Sequence, residues 1–131
     1  MLSIRRETDY AIRAVYYLAQ KKGAVTMVDE IAREMHIPKS FLAKIVQKLN
    51  RAGLVKCFVG MKGGCSLAEK PEGISFHDVI VAIEGPLAMN ICTVNKEECS
   101  LSADCVVHPL WVSVRGDVEK ILKSRNFGTL T

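Results

Sequence analysis

Lys39-Ser40-Phe41-Leu42-Ala43-Lys44-Ile45-Val46-Gln47-Lys48-Leu49-Asn50-Arg51-Ala52-Gly53-Leu54-Val55-Lys56-Cys57-Phe58-Val59-Gly60-Met61-Lys62-Gly63-Gly64 is the stretch that decides the fold. Phe41, Leu42, Ile45, Val46 and Leu49 recur at helical spacing and make one apolar stripe. Lys39, Ser40, Lys44, Gln47 and Lys48 lie on the opposite face. Gly53 ends the helix, because glycine accepts the left-handed conformation that closes a helix C-terminus. The run from Leu54 to Val59 then reads as a strand, Gly60 to Gly64 as a turn, and Cys65 to Ala68 as a short return strand. The pair makes a hairpin with a glycine-rich tip.

Upstream, Tyr10, Ala11, Ala14, Val15 and Leu18 predict a first helix that stops at Lys21-Lys22-Gly23. Thr26 before Met27-Val28-Asp29 resembles a capping box with Asp in place of Glu, opening a short second helix over Ile31, Ala32 and Met35. Pro38 suits the first position of the third helix. Downstream, Ser75 and Asp78 predict the start of a helix that points Val79, Ile80 and Ile83 inward and stops at Gly85-Pro86. A final long helix runs from Pro109 through Leu110, Trp111, Val114, Val118, Ile121 and Leu122.

Helix, short helix, turn, helix and glycine-tipped hairpin make a mainly α winged helix-turn-helix with a two-stranded wing. The third helix of such a unit enters a major groove with its N-terminal residues leading, and the wing reaches the neighbouring backbone. Lysines neutralise phosphates, whereas Ser40, Lys44 and Gln47 are the groups suited to base edges. The expected DNA contacts are Thr26, Lys39, Ser40, Lys44, Gln47, Lys48, Lys62, Gly63 and Gly64. The plainer alternative is a set of solvated surface lysines. Placement of the lysines on the expected recognition helix favours the DNA reading, whereas charge alone fits both: residues 1–70 carry 13 Lys and Arg against 6 Asp and Glu, residues 71–131 carry 5 against 8. A basic front joined to a mildly acidic back fits a polyanion at one end only. The division expected is therefore a DNA-binding region over 1–70 and a ligand loop with dimerisation helices over 71–131, in one compact unit.

Within 131 residues there is no apolar run near the roughly 18 that span a bilayer, and no apolar core follows the charged start. A cytoplasmic protein with no membrane partner is expected. Five cysteines in that compartment suggest ligands or thiols rather than a disulfide framework, and Cys57 and Cys65 in the wing strands are expected as small buried hydrophobes. The other three form Cys92-x6-Cys99-x5-Cys105-x2-His108, 17 residues with mostly polar spacers. Thiolates and imidazole suit iron–sulfur clusters and zinc alike. A structural zinc at these four residues is the alternative to a redox centre. Enzyme chemistry is not expected: there is no G-x-S-x-G, P-loop or H-E-x-x-H, and His108 is the only base close in sequence to a cysteine of this group.

The chain resembles the Rrf2 family of winged-helix bacterial regulators, including its IscR-like and NsrR-like iron–sulfur branches. The resemblance rests on Thr8-Asp9-Tyr10-Ala11-Ile12-Arg13-Ala14, Ser40-Phe41-Leu42-Ala43-Lys44-Ile45, Arg51-Ala52-Gly53-Leu54-Val55, Gly60-Met61-Lys62-Gly63-Gly64, the cysteine triplet with His108, Leu110-Trp111, and Asn126-Phe127-Gly128-Thr129-Leu130. It implies a homodimer joined by the long C-terminal helix through Trp111, Val114, Val118, Ile121 and Leu122. It also implies a two-fold-related operator in double-stranded DNA, and a two-iron (2Fe–2S) or four-iron (4Fe–4S) cluster that sets operator affinity in response to iron–sulfur status, redox, oxygen or nitric oxide, with repression as the expected output. For the fourth ligand beside Cys92, Cys99 and Cys105, the family offers His108 in one branch, Asp9 in another, and Glu7 by analogy with a further relative. Two departures bear on the choice of operator: Val59 stands where many relatives have Arg, and Ala43 where one branch has an acidic residue; the first cysteine gap is one residue longer than in that branch, which a loop can absorb.

Overall fold

The computed structural model describes residues 3–88 and 105–130. Helix α1 (Arg6–Gln20) sits among the other front elements, in contact with α2 (Val28–Met35), α3 (Lys39–Arg51), α4 (Phe76–Glu84) and the second strand of the wing. Ala11 and Ala14 have almost no accessible surface, and their small side chains leave room for close-packed neighbours. Tyr17 donates a 2.6 Å hydrogen bond to Glu30, and Lys21 reaches the same carboxylate at 2.8 Å, tying α1 to α2. Those hydrogen bonds, Lys21's first, hold the Glu30 carboxyl below the usual range.

The turn between α2 and α3 follows His36, which closes α2 at φ 54°. Pro38 takes the cap position, one residue before the helical position expected. Leu42, Ile45, Val46 and Leu49 are buried as the stripe required, but Phe41 is not: it is 49% exposed and meets Tyr10 edge-on at 6.0 Å. Leu42, the next residue in the same turn, is fully buried, so Phe41 lies on the edge of the stripe rather than facing the core. Gly53, at φ 80°, turns the chain out of the helix.

The wing pairs β1 (Val55–Phe58) with β2 (Gly64–Leu67) antiparallel, in the register Val55–Leu67, Lys56–Ser66, Cys57–Cys65, Phe58–Gly64. Thr26 joins β2 as a single-residue third strand, exchanging two 2.8 Å backbone hydrogen bonds with Cys65. This corrects the expected capping box: Met27 holds the cap position without a side-chain bond, and the Thr26 hydroxyl turns to the Ala24 carbonyl. Cys57 and Cys65, expected as separate packing thiols, are joined in a disulfide, because the register sets them directly opposite one another.

Helix α4 begins with a complete capping box, Ser75 accepting from the Asp78 amide at 3.0 Å and Asp78 from the Ser75 amide at 2.9 Å. It buries Val79, Ile80 and Ile83. Helix α5 (His108–Ser124) packs on α4 and has no buried residue. A 3-10 turn over Phe127–Leu130 then brings the chain back to the core. Phe127 is fully buried and stacks on Phe76 at 4.6 Å, while its amide donates to Ile74 and the Phe76 amide donates to Arg125. Among the described residues no helix is long and apolar enough to cross a membrane.

Candidate nucleic-acid interface and cysteine site

The outer face of α3 and the wing tip carry most of the residues expected at DNA. Ser40, Lys44 and Gln47 are exposed on α3, and Lys62 is exposed at the tip, where the Gly63 amide closes a turn on the Gly60 carbonyl at 3.0 Å. The lysines of this set differ in their partners. Lys39 pairs with Asp29 at 2.8 Å and Lys48 with Glu7 at 2.9 Å. Lys44 and Lys62 have no ion pair among the described residues, so their charge is open to an external anion.

Two expected contacts are not at this surface. Thr26 is 4% exposed, with its backbone spent on β2, so its side chain does not reach an outside partner. Gly64 is buried at φ 155°, where a Cβ would collide with the Thr26 carbonyl oxygen; its role is to seat the wing on the core. Gly63 is half-buried under the tip, and a Cβ there would strike the Phe58 carbonyl oxygen. Sequence reasoning missed an aromatic and cationic group beside the start of α3: Tyr10 touches Phe41, with the Arg13 guanidinium 5.4 Å and the Arg6 guanidinium 5.9 Å from its ring centre. The signal was present, since Phe41 is the first residue of its stripe and the others already complete a buried face.

The cysteine site is described in part. Cys92 and Cys99 lie outside the described residues. Cys105 is a half-buried free thiol just before α5, and His108 opens that helix with its amide 3.4 Å from the Cys105 carbonyl oxygen. The Nδ1 atom of His108 is buried and has no hydrogen-bond partner among the described residues. A buried nitrogen left in that state is destabilising by about 1–3 kcal/mol, so the position favours a donor or a cation next to it. The other two fourth-ligand contenders are engaged: Asp9 with Arg13 at 2.8 Å, one helical turn on, and Glu7 with Lys48. Among the described residues no three His, Cys, Asp or Glu side chains are grouped as a metal site.

Of the residues expected between protomers, Trp111, Val114, Val118 and Leu122 are half-buried, and Ile121 is 57% exposed. Val118 and Leu122 border a recess of about 410 Å³ together with Ile4, Ile80 and Leu87. Leu110 and Val112 add further exposed apolar surface on α5.

Residues 4–131 match the profile of a family described as Rrf2, iron-dependent transcriptional regulator. A protein of Aquifex aeolicus described as an HTH-type transcriptional regulator is 34% identical over 116 residues, 87% of this chain and 81% of its own length. Among solved structures, CymR, described as the global cysteine regulator of Bacillus subtilis, superposes with a TM-score of 0.76 at 30% identity, covering 99% of this chain and 96% of that one. The IscR of T. potens gives a TM-score of 0.75 at 27% identity over 98% and 85% of the two chains.

Proposed function

Because the chain belongs to the Rrf2 family of transcription regulators, and is like its named relatives a regulator rather than an enzyme, we propose that it is a dimeric repressor whose operator affinity is set by an iron–sulfur cluster on Cys92, Cys99, Cys105 and His108. The observation that carries this reading is the buried Nδ1 of His108, without a hydrogen-bond partner among the described residues, three positions past the free thiol of Cys105. Three thiolates and one nitrogen donor would suit a cluster with one iron held less firmly than the rest, which would make the centre sensitive to oxygen, nitric oxide or iron supply. Neither Asp9 nor Glu7 offers an unengaged carboxylate. The donor set therefore fits the group, and the chemistry it would supply is a reversible change of charge and ligation at the start of α5.

The chain's own residues carry that change outward. Cys105 precedes α5 and His108 opens it, and on that helix Leu110, Val112 and Ile121 are exposed. A second copy of α5 is the partner that suits this face, which makes α5 the homodimer element. A release or tightening of the loop ahead of α5 would alter how two α5 helices cross, and with them the spacing of the two α3 helices. Half-sites one turn apart in double-stranded DNA require a fixed spacing, so a small tilt lowers affinity.

The test is anaerobic purification with visible spectroscopy and counts of iron and sulfide for wild type, His108→Ala and Asp9→Ala. Wild type and Asp9→Ala should be coloured with equal iron, and His108→Ala should lose its cluster faster in air. A colourless wild type carrying one zinc per chain would replace this reading with a structural Cys3His site. Equal cluster lifetimes in wild type and His108→Ala, with loss in Asp9→Ala, would move the fourth ligand to α1.

A further inference from the structure

The wing holds a second pair of sulfur atoms that the cluster reading does not use. We propose that Cys57 and Cys65 are a reversible dithiol–disulfide site, oxidised by hydroperoxides, whose oxidation fixes the wing and tightens DNA binding independently of the cysteine loop. This rests on the DNA-binding reading given above.

The geometry is carried by the backbone. Cys57 and Cys65 are register partners with Cα atoms 4.2 Å apart. Both backbone hydrogen bonds of Cys65 go to Thr26 on its other side, so the Cys57–Cys65 pair is of the non-hydrogen-bonded kind, in which side chains on adjacent strands approach most closely. The two sulfur atoms are thus held together by the sheet, whatever their oxidation state. Their exposure differs: Cys65 is 1% exposed and Cys57 is half-buried. A DNA regulator works among reduced thiols, where a protein disulfide is usually transient and redox-sensing.

The step balances as follows. The Cys57 thiolate attacks one peroxide oxygen, giving a sulfenic acid and releasing water from hydrogen peroxide, or an alcohol from an organic hydroperoxide. The Cys65 sulfur then attacks the Cys57 sulfur and displaces hydroxide, which takes the remaining thiol proton and leaves as water. Two thiols lose two electrons and two protons, and the peroxide bond takes them up. A cellular dithiol reverses the change.

The consequence follows from an asymmetry between the strands. The inner strand β2 is bound to the core through Thr26 and the close seat of Gly64. The outer end of β1 is not: Phe58 is 52% exposed and Val59 is fully exposed. The disulfide adds a covalent tie between the hydrogen-bonded strand β1 and the anchored β2, at the base of the tip that presents Lys62. Fixing the tip beforehand removes part of the ordering cost of binding, which corresponds to an affinity gain of about three- to tenfold.

The test compares the full chain with Cys57→Ser and, as a second variant, Cys65→Ala, all purified anaerobically. Each is treated with hydrogen peroxide, alkylated and analysed by peptide mass. Binding is read on a duplex pool enriched from random sequence by the wild-type protein. Cluster damage appears in the visible spectrum of all three proteins, so the difference between wild type and variants reports on the wing pair. The expected result is a Cys57–Cys65 peptide that dithiothreitol removes, slower tryptic cleavage after Lys62, and tighter binding in wild type alone. Absence of that peptide, or equal affinity changes in wild type and variants, overturns the proposal. If no form binds duplex at low salt, the DNA-binding reading fails, and with it the coupling of the pair to DNA; the disulfide site itself is then still decided by the peptide and by cleavage after Lys62.

Discussion

Helices α3 and α5 are both long and carry apolar residues at helical spacing, yet α3 buries Leu42, Ile45, Val46 and Leu49, while Trp111, Val114, Val118 and Leu122 of α5 are only half-buried. The contrast separates an element finished within its own chain from one that is not. The inner face of α3 is filled by α1, α2 and α4, so its outer face is free to carry Ser40, Lys44 and Gln47. Helix α5 rests on α4 along one side and leaves Leu110, Val112 and Ile121 in the open. An apolar helix face without a cover is stabilised by a partner, not by propensity alone.

The largest effects should fall where burial is complete. Phe127→Ala should destabilise by about 3–5 kcal/mol and Leu42→Ala by about 2–5 kcal/mol, read from urea unfolding. Ile121→Ala should leave unfolding of the protomer within about 0.5 kcal/mol and instead weaken self-association, read by sedimentation across a concentration series. An Ile121→Ala loss as large as that of Leu42→Ala, independent of protein concentration, would erase the contrast between the two helices. A smaller effect sharpens it from the side of α4, which also contacts α5. Ser75→Ala removes a complete capping box and should cost about 1 kcal/mol in the same unfolding measurement.

How much of this was legible in the sequence follows from how local each signal is. The stripe of α3 from Leu42 to Leu49, the Gly53 stop and the Ser75–Asp78 cap depend on neighbours within a few residues, and the structure holds each where the spacing put it. Thr26 looked local and was not. Its hydroxyl was a plausible cap, but Cys65, 39 residues on, claimed its backbone, and nothing near Thr26 announces that. The same holds for Phe127, whose place against Phe76 depends on a chain reversal after α5. At the candidate site, residue types were readable, whereas partners were not. Asp9 and Arg13, four residues apart on one helix, pair at 2.8 Å, a spacing that is local; nothing in the sequence signals that Lys48 would meet Glu7 across 41 positions.

That last pair gives the finest division within α3. Each phosphate neutralised by a cation releases counterions, and the slope of log affinity against log salt falls in magnitude by about 0.9 per charge removed on duplex DNA. Lys44 has no acidic partner among the described residues, so Lys44→Ala should reduce the slope by about that amount per protomer. Lys48 already faces Glu7 at 2.9 Å, with its side chain about half as exposed as that of Lys39. Its charge is matched within the protein, so Lys48→Ala should change the slope less than Lys44→Ala does. It should also free the Glu7 carboxylate, which then opposes the phosphates, most strongly at low salt. Titration of the enriched duplex pool against both variants, from low to moderate salt, separates the two. Equal slope changes would mean that the Glu7 pair opens on DNA and that α3 presents all its lysines alike.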